Sequence, residues 1–409
     1  MWSTLFILIR PIALLSLGLA LCLSACKKDK ELALPPIKVG ILHSQHGLLA
    51  ETEKAIMNAT LLAIQEINSQ GGVLGRDILP VLGDGRSSPS VFKKEAERLI
   101  QEEGVSAIFG GFTSDSRRAI KEVVEREASI LFYPMQYEGL EQSKNIIYMG
   151  ACPNQGAIPA ISWAFKHLGK RFAVLGYHSF YSYALNAVIK DHIQALGGEL
   201  VLESYFDRSN PDFSKLIEDL ESQKVDVVLT SQGYYLSHIF FDTLSHAKPS
   251  VQEIPIFMFG ISSMHISSFM EGKYVIWNYY DPVAAPVQGL DFVKAYREKF
   301  GSEGTISDPM VSAYLGVYLW AKAVAQAEDA SPDKVLGYLP AQSIEGPHGL
   351  VYISPENNHA YRNVYISRIT EDGSAKVIWQ SKVPVVPEPF PLFRTLDEWN
   401  ALIQTLPAL

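Results

Sequence analysis

The residues of this chain best suited to chemistry are hydroxyl-bearing and aromatic side chains in loops that follow predicted strands. After the apolar run Ser106–Phe109, the sequence reads Gly110-Gly111-Phe112-Thr113-Ser114-Asp115-Ser116. Glycines permit close approach, and a helix that begins at Thr113 or Ser114 offers free N–H groups beside two hydroxyls. Thr113 and Ser114 are therefore candidates for binding a carbonyl or carboxylate oxygen, although a Ser at this position often only caps its own helix.

Two further loops place aromatic and amide side chains directly after predicted strands. The first reads Phe132-Tyr133-Pro134-Met135-Gln136-Tyr137-Glu138-Gly139, and the second reads Gly176-Tyr177-His178-Ser179-Phe180-Tyr181. Aromatic walls with a few convergent polar groups suit a cleft for a small ligand. A single aromatic residue in a loop is more often packed in the core. Repetition at several strand ends nevertheless favours a binding role for Tyr133, Gln136, Tyr137 and Tyr181.

No pattern in the sequence indicates catalysis, a cofactor or a metal centre. The sequence contains no nucleophile elbow, phosphate-binding loop or paired-carboxylate motif. His43-Ser44-Gln45-His46 has a spacing that some metal sites use, but no Cys or carboxylate of matching spacing accompanies it, so a surface loop is the better interpretation. Cys152 lacks the signature of a catalytic thiol and is expected to be buried and inert. The sequence therefore predicts a protein that is not an enzyme.

Short apolar strands alternate with amphipathic helices along the chain, which is the pattern of parallel sheets with crossover helices. The first series predicts strands at 37–42, 78–83, 106–109 and 130–133, and helices at 55–69, 91–103 and 114–126. The second predicts strands at 172–175, 200–205, 225–230 and 256–259, and helices at 183–196, 212–222 and 235–247. The two series predict an α/β protein of two lobes. Ligands of open α/β sheets bind beyond the carboxyl ends of the strands, where the loops described above lie.

Two further segments carry structural signals. A helix is predicted from Asp308, where Asp-Pro provides a side-chain cap and a proline in the first turn. It is apolar nearly all round as far as Trp320, so it must be buried. After Val383 four prolines follow in quick succession and predict irregular polypeptide on the surface: Pro384, Pro387, Pro389 and Pro391.

The N-terminal residues are typical of a secretory signal with a lipidation site. Residues 1–25 carry a single charge, Arg10, and lead into the tetrapeptide Leu23-Ser24-Ala25-Cys26. We expect cleavage before Cys26, acylation of Cys26 and a tether over residues 26–36. The competing interpretation is an uncleaved anchor, because residues 1–25 are long enough to reach across a bilayer. The expected protein is periplasmic or otherwise extracytoplasmic and anchored in the membrane.

Composition excludes several classes of partner. The chain is 47% hydrophobic and 19% charged, and its net charge of −9 repels nucleic acid and anionic lipid. With Cys26 acylated and Cys22 removed, Cys152 has no partner for a disulfide, so stability must come from packed cores. A monomer is the default expectation.

Several motifs, taken in order, resemble the urea and short-chain amide substrate-binding proteins of ABC transporters. The similarity covers residues 37–370 and centres on the loop 132–139. The other segments that carry it are Val39-Gly40-Ile41-Leu42-His43-Ser44, Gly71-Gly72-Val73-Leu74-Gly75-Arg76, Trp277-Asn278-Tyr279, Asp308-Pro309-Met310 through Trp320, Glu345-Gly346-Pro347-His348-Gly349 and Pro355-Glu356-Asn357-Asn358-His359.

The resemblance implies a type I periplasmic-binding fold, in which two Rossmann-like lobes joined by three crossovers close around a ligand. It assigns residues 37–147 and 277–340 to the first lobe, 148–276 and 341–384 to the second, and 385–409 to a C-terminal tail. It places Thr113, Ser114, Tyr133, Gln136 and Tyr137 in the first-lobe half of the pocket and Tyr181 in the other. Truncating Tyr133 or Tyr137 is then expected to weaken binding with little loss of stability, and truncating Trp320 to do the reverse.

The sequence departs from the family pattern in the second lobe. Where the family carries an acidic loop of the type Asn-Gly-Asp-Ser, this chain has Ser231-Gln232-Gly233-Tyr234-Tyr235, and a glutamate-rich segment appears here as Ile261-Ser262-Ser263-Met264-His265. Urea and amides present N–H donors, for which a carboxylate is the natural acceptor. A buried donor left unpaired costs about 1–3 kcal/mol. Gln232 and Tyr234 are the candidates that this loop retains, and the identity of the ligand stays open.

Three functional hypotheses follow. The first is capture of urea, a short-chain amide or a similar small polar ligand, and its delivery to the membrane subunits of an ABC permease. The second is a ligand-sensing subunit for a membrane receptor kinase. In either role an amino acid is the alternative to urea. The third hypothesis, an enzyme that acts on amides, has no residues in the sequence to support it.

Overall fold

The computed structural model describes residues 34–207, 211–260, 266, 268–277, 287–301, 306–347 and 349–407, without the side chains of 232–238, 277 and 287–290. By its internal contacts the chain divides into Met1–Pro36 and a compact unit, Ile37–Leu409. The predicted signal sequence and Cys26 lie outside the described residues. None of the helices described is both long enough and apolar enough to cross a membrane.

The first lobe is built on a five-stranded parallel sheet in the order β2-β1-β3-β4-β5. Its strands β1 to β5 are Ile37–His43, Ile78–Asp84, Ile108–Gly110, Leu131–Tyr133 and Ile146–Tyr148. The three strands β3 to β5 are entirely buried, as expected where helices cover both faces of a parallel sheet. Helices α1 to α3 are Ala50–Ser69, Pro89–Gln101 and Ser114–Arg126.

The second lobe is built on a seven-stranded mixed sheet in the order β14-β13-β10-β9-β8-β6-β7. The strands β6 to β10 run parallel, and β13 and β14 add an antiparallel edge. These strands are Arg171–Tyr177, Glu199–Phe206, Val227–Gly233, Ile256–Gly260, Tyr274–Trp277, Tyr365–Ile369 and Ala375–Gln380. Helices α4 to α8 are Ala157–His167, Phe180–Leu196, Ser214–Ser222, Tyr234–Ser245 and Pro249–Gln252.

The chain passes between the two sheets three times, as the predicted fold requires. It leaves the first sheet after Tyr148, returns to that lobe with a long helix that packs along α1, and rejoins the second sheet at Tyr365. The elements of this return are helices α9 to α11 and the hairpin β11–β12: Val287–Phe300, Asp308–Ala327, Pro332–Leu336, Ser343–Gly346 and Gly349–Tyr352. The prediction of two α/β lobes is confirmed.

The hairpin β11–β12 packs on the first lobe, so the chain reaches the second lobe later than the predicted boundary at residue 341. The Lys322 ammonium of α10 donates to the Ser343 carbonyl at 2.8 Å. A Cβ at Gly346 would lie 2.6 Å from the Leu315 side chain of the same helix. The antiparallel edge of the second sheet therefore begins only at Tyr365.

The prolines after Val383 predicted irregular polypeptide to the end of the chain, but part of this segment is helical. Residues Leu396–Thr405 form helix α12, whose N-cap Thr395 accepts from the Glu398 N–H at 3.3 Å. The Glu398 carboxylate accepts in turn from the Thr395 N–H at 2.7 Å. This capping box is readable in the sequence Thr-Leu-Asp-Glu. Trp399 of α12 is fully buried.

Substitution of Trp320 in α10 tests the packing of the first lobe. Its ring is fully buried and meets the Phe109 ring of β3 edge-on, with the centroids 6.1 Å apart. Because Trp320→Ala leaves a cavity, we expect it to lower the free energy of unfolding by about 3–5 kcal/mol in urea denaturation. The control Tyr338→Ala removes a ring that is 46% exposed and should cost less than about 1 kcal/mol. Equal losses in the two variants would contradict this packing.

Candidate functional site

A cavity lies where residues of both lobes approach each other, beyond the carboxyl ends of several strands. It encloses about 520 Å³ not filled by protein atoms, part of which is open to solvent. Its described walls include Gln136, Tyr137, Asp308 and Pro309 on the first-lobe side, and Tyr181, Leu185, Phe259 and Ile276 on the second-lobe side.

Gln136, Tyr137 and Tyr181 are the predicted ligand-binding residues that line this cavity. Gln136 and Tyr137 follow β4, and Tyr181 stands in the first turn of α5, just after β6. The Tyr181 hydroxyl donates to the Phe259 carbonyl at 3.3 Å. Burial, and then the nearby Glu138 and Tyr133, raise the pKa of Tyr181. This phenol of the second lobe therefore stays neutral and lies close to groups of the first.

Behind the lining residues lies a buried ion network that the sequence patterns did not reveal. Arg117 of α3 is fully buried and donates to Glu138 Oε1 at 2.7 Å and to Glu141 Oε1 at 2.9 Å. Ser114 Oγ donates to the other carboxylate oxygen of Glu138 at 2.5 Å. Ser114 and Arg117 are three residues apart, so one face of α3 presents both to the loop 136–141. Removing one partner from such a pair costs about 3–5 kcal/mol.

In this network the attraction between opposite charges outweighs the cost of burying them. Burial works to lower the pKa of Arg117, but Glu138 and Glu141 outweigh it and hold that pKa well above its ordinary value. Burial likewise works to raise the pKa of Glu141, and Arg117 overrides it and keeps that pKa below its ordinary value. The guanidinium also lies over the rings of Tyr133 and Tyr137, 5.1 Å and 4.5 Å from their centroids.

Tyr133 and Tyr137 are part of the core as well as of the predicted pocket. Tyr133 is 1% exposed and donates to the Phe112 carbonyl at 2.8 Å. Tyr137 is 3% exposed, and its hydroxyl lies 2.5 Å from His359 Nε2 and 3.0 Å from the Glu141 carbonyl oxygen. The expectation that either ring can be truncated with little loss of stability is therefore wrong, because truncation opens a cavity and leaves buried polar groups unpaired.

Thr113 and Ser114 are not among the cavity's described lining residues, and their hydroxyls bond within the protein. Thr113 is the N-cap of α3, and its hydroxyl oxygen accepts from the Ser116 N–H at 3.1 Å. Ser114 gives its only proton to Glu138, so toward any other partner its oxygen can only accept. Gly110, at the end of β3, has φ of 151°, and a Cβ there would lie 2.0 Å from the Leu42 carbonyl oxygen. Glycine is thus required for α3 to begin this close to β1.

Comparison with known proteins decides the family. Residues 37–396 match the model of a family described as "Periplasmic binding protein domain". The chain belongs to this family. Among curated proteins it is similar to Leu/Ile/Val-binding protein homolog 8 of Brucella suis biovar 1 (strain 1330), with 27% identity over 362 residues, 80% of this chain and 85% of that protein.

Solved periplasmic binding proteins share the fold. A solute binding protein of an ABC transporter from Rhodopseudomonas palustris BisB5, in complex with 3,4-dihydroxybenzoic acid, matches with a TM-score of 0.76 and 22% identity over 86% of this chain and 98% of that one. A leucine binding protein from Thermotoga maritima MSB8 matches with a TM-score of 0.73 and 20% identity over 84% and 98%. These matches confirm the type I fold. The family's members are non-enzymatic transport components, in agreement with the prediction that this chain is not an enzyme.

In this periplasmic binding protein, Asp308 lines the cavity although the sequence pattern predicted only a helix cap. Ser307 occupies the N-cap position of α10, and Asp308 is the first helical residue, half-buried in the cavity wall. Asp308 supplies a carboxylate near the cavity, whereas the loop 231–235 has none. Its place within the matched segment Asp308-Pro309-Met310 was the available signal.

The second-lobe candidates Gln232 and Tyr234 have side chains outside the described residues, and residues 261–265 lie outside them altogether. Their backbone differs from the prediction of a loop. Strand β8 continues to Gly233, which pairs with Gly260 after a register shift, and α7 begins at Tyr234. Strand and helix therefore follow each other directly.

Of the remaining candidates for reactive chemistry, Cys152 and His43 are buried, and His46 is exposed. Cys152 is 1% exposed, and burial raises the pKa of its thiol to about 12, as expected of an inert cysteine. The segment 43–46 is only partly a surface loop, because His43 and Ser44 are buried and Glu53 accepts from the Ser44 N–H at 2.8 Å. Within the described parts of the chain, no group of three or more His, Cys, Asp or Glu residues could hold a metal ion.

His359 makes the stability of this protein sensitive to acid. The Asn357 carbonyl accepts from His359 Nδ1 at 2.6 Å, so Nε2 carries no proton and accepts from the Tyr137 hydroxyl. Burial lowers the pKa of His359 from 6.5 to about 3. A His with a folded-state pKa below the unfolded value stabilises the fold fully above pH 6.5, and this contribution is lost progressively as the pH falls toward 3.

We therefore expect His359→Gln to flatten the loss of unfolding free energy on acidification, measured by urea denaturation from about pH 7.5 to 4.5. The slopes are compared rather than the levels, because the substitution also disturbs the Tyr137 hydrogen bond. Leu392→Gln, at a side chain that is 87% exposed and does not titrate, is the control and should keep the parent slope. An unchanged slope in the His359 variant would assign the acid sensitivity to other groups.

Proposed function

We propose that this chain is an extracytoplasmic, lipid-anchored binding protein that captures urea or a short-chain amide and delivers it to the membrane subunits of an ABC permease. The observation that carries the proposal is the set of acceptor groups around the cavity. Asp308 and Gln136, which carry a carboxylate and an amide, are among its lining residues, and no Lys or Arg is among those described. A neutral ligand rich in N–H donors finds partners there, whereas a free carboxylate finds no cationic side chain among the described lining residues.

The hydroxyls around the cavity are already used as donors within the protein. Among the described lining residues, Tyr181 donates to Phe259, and Tyr137 donates to His359. Each hydroxyl has one proton, so toward a ligand these oxygens act only as acceptors. This polarity favours a ligand whose exposed groups are N–H donors.

The ligand would contact groups of both lobes. Gln136 and Asp308 belong to elements that pack on the first sheet, and Tyr181 belongs to a helix of the second. A ligand that reaches both sides favours the closed arrangement, because only there does it make both sets of contacts. Release to a permease would then require the lobes to separate.

The proposed anchor rests on the N-terminal sequence. Leu23-Ser24-Ala25-Cys26 follows an apolar run and precedes the polar residues Lys27 to Glu31. Cleavage and acylation at Cys26 would hold the binding protein at the membrane surface, where it can meet a permease.

A branched-chain amino acid is the second candidate ligand, and both the curated relatives and the apolar wall of the cavity favour it. Leu185, Phe259 and Ile276 would pack against an aliphatic side chain. Asp308 would accept from the ammonium group, and the free N–H groups at the start of α4, beside Ala157, would bind the carboxylate. The solved neighbour that holds 3,4-dihydroxybenzoic acid extends this candidate to aromatic acids.

A thermal-shift screen separates these candidates, because a ligand that binds only the native protein raises its melting temperature. The purified protein is tested against urea, formamide, acetamide, leucine, isoleucine and 3,4-dihydroxybenzoate. A shift with urea or an amide alone supports the proposal. A rise in melting temperature only with leucine, isoleucine or the benzoate replaces the proposal with the second candidate. No rise with any of the six compounds overturns both.

Asp308→Asn tests the acceptor directly. The substitution replaces one carboxylate oxygen with an NH₂ group, which meets the ligand's N–H as a second donor. We expect the affinity for acetamide in calorimetric titration to fall at least about ten-fold, or about 1.4 kcal/mol. The matched control is Asp333→Asn, an acid in the first turn of α11 that is not among the cavity's described lining. Equal affinity in Asp308→Asn and the parent would remove Asp308 from the site.

A further inference from the structure

Residues 385–407, the C-terminal segment, contact both lobes, and none of the cavity's described lining residues belongs to them. On the first-lobe side, the Pro389 carbonyl accepts from the Leu140 N–H at 2.7 Å. Gly139 has φ of 73°, and a Cβ there would lie 2.6 Å from that same oxygen. On the second-lobe side, Arg394 donates to both carboxylate oxygens of Asp191 in α5, at 2.5 Å and 2.9 Å.

Just before these two anchors, the C-terminal segment also holds the short 3-10 helix Pro153–Gln155, which follows the last strand of the first sheet. Asn154 donates to the Val386 carbonyl at 2.8 Å, and Gln155 donates to the Val385 carbonyl at 2.9 Å. Asn154 and Gln155 directly follow the cavity-lining Pro153. The segment therefore fastens the backbone on two sides of the cavity and at the crossover between the lobes.

An apolar cluster reinforces the same connection. Trp399 of α12 is fully buried in a cluster with Leu140 of the first lobe and with Phe180, Ala184 and Val188 of α5. The Trp399 indole N–H donates to the Pro391 carbonyl at 2.8 Å. Arg118 of α3 lies over the Phe180 ring, 3.9 Å from its centroid. Phe180, the residue before Tyr181, is thus held by the first lobe and the C-terminal segment together.

We infer that the C-terminal segment is a positioning element of the binding site, which stabilises the lobes in contact and fixes Tyr181 toward the cavity. Leu140 and Asp191 belong to different lobes, so the Pro389–Leu140 hydrogen bond and the Arg394–Asp191 ion pair together oppose separation of the lobes. The segment therefore raises the population of the closed arrangement without any ligand. Apparent affinity rises in proportion to that population.

Arg394→Gln is the decisive variant, because Trp399→Ala removes the centre of a cluster and unfolding of α12 would give the same result. Small-angle X-ray scattering of the ligand-free protein should show a larger radius of gyration in Arg394→Gln than in the parent. Arg394→Lys keeps the charge but not the two parallel hydrogen bonds, so it should restore the parent value in part. We also expect the affinity for acetamide to fall about five-fold in Arg394→Gln, and this second expectation rests on the proposed function.

The matched control is Lys190→Gln, which removes the ion pair between Lys190 and Glu203 (3.0 Å) one residue away from Asp191 on α5. Expansion of Arg394→Gln with an unchanged Lys190→Gln supports the inference. A parent-like radius in Arg394→Gln, or equal expansion of both variants, overturns it. Scattering needs no ligand, so a protein that binds neither urea nor acetamide would refute the proposed function and leave this test intact.

Discussion

The first-lobe half of the candidate site depends on the burial of one guanidinium. Arg117 has no solvent to bond, so its donors must be satisfied by Glu138 and Glu141, and its faces are covered by the rings of Tyr133 and Tyr137. These contacts fix the backbone of residues 136–141. A lysine could not replace it, because a point charge cannot bond two carboxylates in a planar fork and stack on two rings. The place of Gln136 in the cavity wall and the hydrogen bond from Leu140 to Pro389 both belong to this fixed loop.

The large-scale architecture was accessible from sequence because it depends on patterns that repeat. Alternating strands and helices predicted both sheets, and the rule that ligands bind beyond strand ends located Gln136 and Tyr181 on the cavity. The short β5 and the antiparallel strands β13 and β14 were not predicted, because no crossover helix joins each of them to the preceding strand in the regular way. Helix α12 was not predicted either, because the nearby prolines were given more weight than the capping box at Thr395.

The chemistry of individual side chains was less accessible because it depends on partners distant in the chain. An aromatic residue after a strand has the same local pattern whether its ring lines a cavity or packs in a core. For Tyr137 the answer depends on His359, 222 residues away. For Asp308 the local pattern indicated only a helix cap. The position of α10 beside the cavity is what makes Asp308 a lining residue as well. Arg117 lies in a predicted amphipathic helix, and nothing in its local pattern indicates the distant partners Glu138 and Glu141.

The size of the proposed ligand places a constraint on the protein. The best very small ligands gain about 1.5 kcal/mol per non-hydrogen atom, so urea or acetamide, with four such atoms, gains at most about 6 kcal/mol. Any free energy spent on bringing the lobes together is subtracted from that small total, whereas leucine, with more than twice the atoms, could tolerate a larger subtraction. A binding protein for urea or a short amide therefore needs a first lobe already ordered by folding and lobes already held near closure. The Arg117 network meets the first requirement, and the contacts of residues 385–407 with Leu140 and Asp191 are suited to the second.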